Sequence, residues 1–308
     1  MVNEILVVKG LSFRFGRNLI LDKIDLKVFE GELLGIVGIS GVGKTTLLNS
    51  IIGFYPVPQG QISYNGSKAG ISQKQLFGFS AQNQSYYPEL TVLENIRYFA
   101  SLYSTKNDSD QSIKKALELV DLTAHQDVIA KNLSGGMKKR LDIACAIVHS
   151  PKILILDEPT SDMDPLLRVQ IWEVIEDINR KGTTIIVASH FLTELEHTCD
   201  RIALMNNKKI EYIGTPKDFR NQYSKVKEIH IATSDGDYDL ILKKLRSIPI
   251  LEVKYMVKRK GGIVIHSEQN EKTIRDALHT ILKNQVNVSD IEIMNPSFDT
   301  LFNRFVKK

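Results

Sequence analysis

The chain has 308 residues, which is enough for two domains of ordinary size. Its hydrophobic content of 43% and charged content of 25% are typical of a globular protein, and no apolar run approaches the roughly 18 residues that predict a membrane span. The net charge of +4 arises in residues 225–308, which hold 15 Lys and Arg against 11 Asp and Glu, and it is too small to indicate nucleic acid as a partner. The N-terminus lacks a secretory signal, and Cys145 and Cys199 lack the spacing of a redox pair, so we expect a cytoplasmic chain without a structural disulfide.

The first predicted elements are strands. Ile5–Val8 and Ile24–Val28 alternate between apolar and polar residues, with the loop Phe15–Asn18 between them. Gln61–Tyr64 and Leu76–Phe79 have the same character. This part of the chain therefore predicts an antiparallel sheet.

A glycine-rich segment lies between the apolar run Leu33–Val37, which predicts a buried strand, and Thr46–Ile52, which predicts a helix. The segment has the pattern G-x-x-x-x-G-K-[ST], whose glycines allow backbone N–H groups and the helix N-terminus to point at phosphate. Lys44 adds a positive charge for the β- and γ-phosphates, and Thr45 adds a hydroxyl for Mg²⁺. A chance match in a glycine-rich turn is the alternative, and the flanking strand and helix argue against it. The segment predicts a nucleoside triphosphate site formed by Gly38, Ser40, Gly41, Val42, Gly43, Lys44, Thr45 and Thr46.

From about residue 84 to residue 150 the pattern becomes helical. Thr91–Glu94 is a capping box that opens a helix, and Gln111–Val120 has apolar residues at helical spacing. Leu133–Gly136 precedes a helical run that continues to about Val148, with Ser134 as the predicted N-cap. Alone, this last motif indicates only the start of a helix.

Two further apolar runs, Lys152–Leu156 and Thr184–Ala188, predict strands that are buried on both faces of a parallel sheet, with a crossover helix from about Leu167 to Arg180. The first run ends in Asp157 and Glu158. Downstream of a phosphate loop, the first acid is placed to reach Mg²⁺ and the second to accept a proton from the attacking water. Two solvated residues at a strand end are the alternative.

The order of these motifs resembles that of the ATP-binding-cassette (ABC) family over about residues 1–220. The resemblance implies that Ser134, Gly135 and Gly136 bind the γ-phosphate of ATP held by the other subunit of a dimer. Met137 stands where the family usually has glutamine, which leaves only a weak hydrogen-bond acceptor at this position of the interface.

Other positions match the family one at a time. Phe15 resembles the aromatic residue that stacks on adenine, although Phe13 is close and either ring could belong to the core. Gln82 resembles the glutamine that approaches Mg²⁺ and couples to membrane partners. Ser161–Asp164 resembles the D-loop that crosses the dimer interface, and His190 resembles the switch histidine that contacts the γ-phosphate.

The resemblance thus implies an ATPase that uses ATP and a magnesium ion. The implied fold class is α/β: a P-loop ABC ATPase core at residues 1–224 with an antiparallel β subdomain and a helical subdomain at about 84–150. The implied catalytic residues are Glu158, His190, Gln82 and Lys44, and the implied metal-binding residues are Thr45, Gln82 and Asp157.

Residues 225–308 predict a small α+β domain of the split βαβ type, followed by one more helix. It could sense a ligand or act as a dimerisation platform, and we favour the platform. The predicted elements are a strand at Lys227–Ala232, a helix at Tyr238–Ser247, a hairpin of Leu251–Val257 and Ile263–His266, a helix at Lys272–Lys283, a strand at Asp290–Met294 and a helix at Phe298–Val306.

We expect this chain to power transport as a homodimer, or as a heterodimer with another ABC ATPase, on an integral membrane permease subunit. That places it peripherally on the inner face of the cell membrane, with no nucleic acid expected. Met294–Phe302 resembles the tail of exporter-type ATPases with a separate membrane subunit, which favours export over import. A soluble ABC ATPase of DNA repair, translation or cofactor assembly is the other class, and the chain shows neither a long coiled-coil insert nor a second cassette.

Overall fold

The computed structural model describes residues 3–68, 75–103, 109–223, 227–233, 253–259, 262–267, 275 and 288–306. The chain divides into two compact units, residues 1–216 and 217–308. This division falls after Pro216, the first residue of the helix Pro216–Tyr223, rather than after the helix. The predicted domain boundary after residue 224 stays a prediction.

The first unit contains two sheets. One has the strand order β2-β1-β4-β5, and the other has the order β10-β9-β3-β8-β7-β6. Their described strands are β1 (Glu4–Phe15), β2 (Asn18–Phe29), β3 (Leu33–Val37), β4 (Gln59–Tyr64), β5 (Ser67–Lys68), β6 (Phe77–Ser80), β7 (Ile153–Asp157), β8 (Thr184–Ser189), β9 (Arg201–Asn206) and β10 (Lys209–Gly214).

The six-stranded sheet is parallel except for its edge strand β10. Every residue of β3, β7 and β8 is buried, which explains why these strands are continuous apolar runs. Leu33 pairs with Ile185, and Ile153 pairs with Thr184. Because the three strands are parallel neighbours, the segments that follow them emerge at one edge of the sheet.

The four-stranded sheet is antiparallel, as the alternating pattern predicts for its strands. The predicted strand Leu76–Phe79 does not belong to it, because β6 pairs in parallel with β7 at the edge of the other sheet. Strands β1 and β2 are joined by Gly16 and Arg17, with Gly16 at φ 56°. The buried face of this sheet packs with the helix α1 (Lys44–Ile51) and with the parallel sheet in one hydrophobic core. That core holds the glycine-rich loop between two sheets.

The helices of the first unit fall into two sets. One set lies between β6 and β7 in the chain, and its helices pack together. This set has the predicted capping box, in which Thr91 Oγ1 accepts from Glu94 N–H at 3.1 Å and Thr91 N–H donates to Glu94 Oε2 at 2.8 Å. The other set follows the strands of the parallel sheet. The remaining bounds are α2 (Val92–Leu102), α3 (Ser109–Leu119), α4 (Gly135–Ile147), α5 (Pro165–Arg180) and α6 (Leu192–Thr198), with single 3₁₀ turns at Thr123–His125 and Ala130–Asn132.

The second unit has a four-stranded antiparallel sheet, in the strand order that the split βαβ arrangement requires. The two helices predicted within it lie outside the described residues, apart from Arg275. Phe219 is fully buried against Phe298 and Phe305, with ring centroids 5.2 and 5.9 Å away. The elements are α7 (Pro216–Tyr223), β11 (Lys227–Thr233), β12 (Val253–Arg259), β13 (Gly262–Ser267) and β14 (Val288–Met294), in the order β12-β13-β11-β14, and α8 (Phe298–Val306).

Candidate functional site

The glycine-rich loop connects β3 to α1 and needs its glycines for two different reasons. Gly41 and Gly43 have φ values of 79° and 112°, a region that residues with a side chain rarely adopt. Gly38 instead lacks space, because a Cβ there would lie 2.6 Å from Val42 Cγ1 and 2.8 Å from Met205 O. Val42 itself is buried, and its N–H donates to Ile39 O at 3.2 Å, so it shapes the loop from the core side.

The loop and the first turn of α1 line a cleft of about 400 Å³. Helix α1 begins without a side-chain cap and without an acidic residue in its first turn. Its N-terminal N–H groups are therefore available to an anion. The lining residues are Ile20, Ser40, Gly41, Gly43, Lys44, Thr45, Thr46, Gln82, Glu158 and His190.

Lys44 is buried and fixed by two oxygen atoms. Its Nζ donates to Gly38 O at 2.9 Å and lies 3.2 Å from Glu158 Oε1. The side chains of both ion-pair partners are nine-tenths buried or more. A buried cation next to a cleft of this kind is placed to bind phosphate oxygens.

Glu158 is the centre of the site. It has φ 49°, a left-handed conformation that is strained for a residue with a side chain, and its N–H donates to Ala188 O at 2.8 Å. Its Oε2 lies 2.7 Å from His190 Nδ1 and accepts from His190 N–H at 3.3 Å. One carboxylate thus contacts both Lys44 and His190, and half of the histidine side chain remains exposed to the cleft.

Asp157 lies one residue earlier, at the end of β7, and is fully buried. Burial raises the pKa of its carboxyl group, and a hydrogen bond from the Thr45 side chain opposes that rise. Among the residues that the structure describes, Asp157 Oδ1 has no hydrogen-bond partner. A buried carboxylate oxygen without a partner, next to a threonine hydroxyl, is a donor set that suits Mg²⁺, which takes few protein ligands and completes its shell with waters and phosphate.

Gln82 follows β6 in an exposed segment and lines the same cleft. It also lines a second cleft of about 300 Å³, together with Glu158, Gly135 and Asp162. Gln82 and Glu158 therefore stand where the two clefts meet.

Ser134 is the N-cap of α4, as predicted, and its Oγ accepts from Met137 N–H at 3.3 Å. The hydroxyl keeps its own proton to donate. Ser134 and Gly135 are exposed, whereas Gly136 packs so closely on Leu167 that a Cβ would lie 2.9 Å from Leu167 Cδ2. Of the described residues that line the 400 Å³ cleft, none comes from this motif. One chain therefore does not bring the phosphate loop and Ser134 together.

The two phenylalanines that the sequence leaves open differ in exposure. Phe13 is 5% exposed and stacks on Tyr55 at 5.2 Å, so it belongs to the core. Phe15 is 48% exposed and contacts Phe13 edge-on at 4.9 Å. Phe15 lies outside the described lining of the 400 Å³ cleft.

Lys139 and Asp142 are additional residues near the site that the motifs do not predict. Asp142 is buried, accepts from the Ser80 hydroxyl, and accepts from Ser85 N–H at 2.9 Å. Lys139 Nζ donates to Ser80 Oγ at 2.9 Å and to Ala81 O at 3.2 Å. These contacts hold both ends of the segment that carries Gln82 against α4. An i,i+3 Lys–Asp pair is visible in the sequence, but its partners on a distant loop are not.

Comparison with known proteins agrees with this geometry. The family model described as ABC transporter matches residues 21–161. The linearmycin resistance ATP-binding protein LnrL of Bacillus subtilis is 29% identical over 301 residues, which are 96% of this chain and 96% of LnrL. The Fe(3+) ions import ATP-binding protein FbpC of Fusobacterium nucleatum is 32% identical over 281 residues, which are 87% of this chain and 75% of FbpC.

A solved structure gives the same result for the fold. The cbiO1 protein from Clostridium perfringens, described as part of the ABC transporter complex cbiONQ, has a TM-score of 0.65 and 25% identity, and the match covers 80% of this chain and 96% of cbiO1. Among the helices that the structure describes, none has the length and apolar character needed to cross a membrane. With the phosphate loop, the paired acids and the serine–glycine motif in place, the chain belongs to the ABC transporter family and is the ATP-binding subunit, an ATPase, of such a transporter.

Proposed function

We propose that this chain hydrolyses ATP at a site shared between two ATP-binding subunits and thereby powers export through a separate integral membrane permease. The observation that carries the proposal is the contact of Glu158 with both Lys44 and His190 at the end of the phosphate loop. A base, a phosphate-binding cation and a histidine within one cleft are what phosphoryl transfer to water requires.

Residues from four segments have separate roles in this proposal. Lys44 and the N–H groups of the loop bind the β- and γ-phosphates. Glu158 accepts a proton from the water whose oxygen attacks the γ-phosphorus, and His190 holds the Glu158 carboxylate and contacts the γ-phosphate. Phe15, half exposed at the end of β1, stacks on the adenine ring.

Thr45 and Asp157 would hold the magnesium ion, and Gln82 would approach it from the loop after β6. When bound, the ion neutralises charge on the β- and γ-phosphate oxygens. The partnerless Asp157 Oδ1 and the bond between Thr45 and Asp157 support this assignment. The chain's own contribution is to hold the Asp157 carboxylate beside the phosphate loop and shielded from water.

The second half of the site comes from another subunit. Ser134 and Gly135 are exposed at the start of α4 and Gly136 is buried beside them, and all three lie outside the described lining of the cleft that carries Lys44. Two chains that face each other would place Ser134 of one on the γ-phosphate bound to Lys44 of the other. Closure would exclude water from the phosphates, where fixed hydrogen-bond donors act most strongly. After hydrolysis, repulsion between ADP and phosphate would open the dimer.

Complementation between variants tests this shared site. In a homodimer, Lys44→Ala and Ser134→Ala each damage both sites, so each purified protein should lose hydrolysis. A 1:1 mixture should recover about one quarter of the wild-type rate, because half of the dimers would then be mixed and each would have one intact site. Wild-type protein mixed with Lys44→Ala, scaled for dilution, is the control. No recovery in the first mixture would exclude a homodimeric shared site.

The permease would dock beside the segment that carries Gln82. Tyr87 and Tyr98 are 46% and 40% exposed, and their hydroxyl groups are 3.2 Å apart. The fully buried Asn95 fixes Tyr87 by accepting from its N–H at 2.7 Å and donating to its carbonyl at 2.9 Å. Exposed aromatic residues on a rigid backbone indicate a preformed protein interface.

Export is the direction that the full-length match supports. LnrL, a resistance protein by name, matches 96% of this chain, including most of residues 217–308. Import is the second candidate, because FbpC matches 87% of this chain. Growth of cells with and without the gene in linearmycin tests export of that compound. Protection by the gene would support export, and absence of protection would refute linearmycin as the exported compound.

A further inference from the structure

Arg168, in the first turn of α5, contacts the segments on both sides of the Glu158 site. Its Nε donates to Met163 O at 2.9 Å, and its guanidinium carbon lies 3.7 Å from the centroid of the Phe191 ring. Its Nη1 lies 3.5 Å from Glu194 Oε1. None of these partners lies in α5, so the side chain links α5 to the segment that precedes it and to the start of α6.

Glu194 anchors this arginine. Its Oε2 accepts from the Thr160 hydroxyl at 2.8 Å and from the Trp172 indole N–H at 2.7 Å. Both oxygens of the carboxylate are therefore engaged, and the guanidinium has one defined direction in which to lie. Arg168 is therefore held over Phe191 by the fixed position of the Glu194 carboxylate, and not by the attraction of opposite charges alone.

The contacts of Arg168 close a ring around the site. The ring of Phe191 lies 4.1 Å from that of His190, and His190 contacts Glu158 at 2.7 Å. Glu158 O in turn accepts from Ser161 N–H at 3.2 Å and from Ser161 Oγ at 3.0 Å. Met163, two residues further along, completes the ring through its carbonyl bond to Arg168.

We propose that Arg168 is a positioning residue for hydrolysis. Its guanidinium stacks on Phe191 and donates to the Met163 carbonyl, and these two contacts set the orientation of His190 towards Glu158. The inference rests on the proposed roles of Glu158 and His190. Arg168 is not among the described residues that line the 400 Å³ cleft, so its effect falls on the chemical step and not on nucleotide binding. A planar guanidinium can stack on a ring and donate from its edge at the same time, whereas a lysine ammonium cannot do both.

The test compares Arg168→Lys, Phe191→Leu and the double variant in the full-length protein. Each single variant should lower kcat by about three- to tenfold with KM for ATP changed less than about twofold. Arg168→Lys loses the cation–π contact and the hydrogen bond to Met163 O, and Phe191→Leu loses the cation–π contact. The double variant should be no slower than the slower single variant, because the two residues act as one unit. Phe191→Tyr keeps the ring and should retain wild-type kcat.

Arg180→Lys is the matched control, because Arg180 lies on the same helix and is exposed, and its acidic partners among the described residues all lie on α5. Thermal unfolding of every variant separates misfolding from misalignment. Additive losses in the double variant, or an equal rise in KM, would overturn the inference. Glu158→Gln in the same assay separates the proposed function from the positioning role of Arg168. Unchanged kcat in Glu158→Gln would refute the proposed function. A large loss of kcat in Glu158→Gln, with wild-type kcat in Arg168→Lys and Phe191→Leu, would refute only the positioning role.

Discussion

Replacing Glu158 with glutamine tests the centre of the site by removing one charge at nearly constant volume. Glu158 pairs with Lys44 at 3.2 Å and lies 2.7 Å from His190 Nδ1. Glutamine keeps an oxygen that can accept from Lys44, but it cannot accept the proton of the attacking water. We expect kcat to fall by about 10²- to 10⁴-fold, the range for loss of a general base.

The same substitution should tighten nucleotide binding. Lys44 has to exchange its contact with Glu158 for one with the phosphates, so a weaker contact favours the nucleotide. The Lys44 ammonium would still form a charge-assisted hydrogen bond with the glutamine oxygen, but the ion pair would be lost. The contact then moves from the upper towards the lower end of the range of about 1.5–3 kcal/mol for such bonds, a weakening of about 1–1.4 kcal/mol. That difference corresponds to about five- to tenfold higher affinity.

Two assays measure these effects in the same samples. Phosphate release with Mg-ATP gives kcat, and titration with a fluorescent ATP analogue gives the dissociation constant. Glu176→Gln is the control, because Glu176 is partly exposed on α5 and pairs only with Arg180 at 3.6 Å among the described contacts. A kcat within about threefold of wild type would refute the assignment of Glu158 as the base. Unchanged affinity would refute the competition for Lys44.

Three further predictions concern the metal site, the docking surface and the second unit. Burial raises the Asp157 pKa above its ordinary value of 3.8, so folding favours the protonated form, and that contribution to stability is lost as pH rises through the folded pKa. Without nucleotide, Asp157→Asn should therefore melt at a higher temperature than wild type, by a margin that grows from pH 4 to pH 7. A margin independent of pH would contradict this. The same variant should lose the Mg²⁺-dependent part of ATP binding. Tyr87→Ser should reduce the amount of chain that sediments with membranes while leaving hydrolysis in solution intact, and equal loss of both would argue against a docking role. Residues 1–216 should stay monodisperse in light scattering, whereas residues 1–224 should aggregate, because the longer fragment keeps Phe219 without its buried partners.

Local signals predict elements in both units. The strand Leu33–Val37 and the final helix Phe298–Val306 have the predicted bounds, and Ser134 and Thr91 cap the predicted helices. Each of these depends on residues within one or two turns of chain, or on a continuous apolar run. Strands β9 and β10 are not among the predicted elements, although β9 is almost fully buried and β10 is a half-exposed edge strand.

The links between segments are what the sequence does not predict. Lys44 and Glu158 are far apart in the chain, and their ion pair exists because β3 and β7 flank β8 in one parallel sheet. The contact of Arg168 with Phe191 depends in the same way on how α5 packs beside the segment after β8. Sequence motifs identify the residues that lie at this edge of the parallel sheet, whereas only the register of the sheet determines which of those residues contact one another.

Several unfavourable features of the first unit meet at this edge and support a function independently of any motif. Lys44 and Asp157 are buried ionisable groups, and the pKa of the latter is raised. Glu158 adds a left-handed backbone conformation, which costs about 1–3 kcal/mol for a residue with a side chain. The preceding strand residues Ile153–Leu156 are fully buried and apolar, with none of these features. A strand that served only the core could end in a solvated turn. This chain instead tolerates a buried charge at Asp157 and backbone strain at Glu158, where the proposed chemistry needs a metal ligand shielded from water and a correctly oriented base.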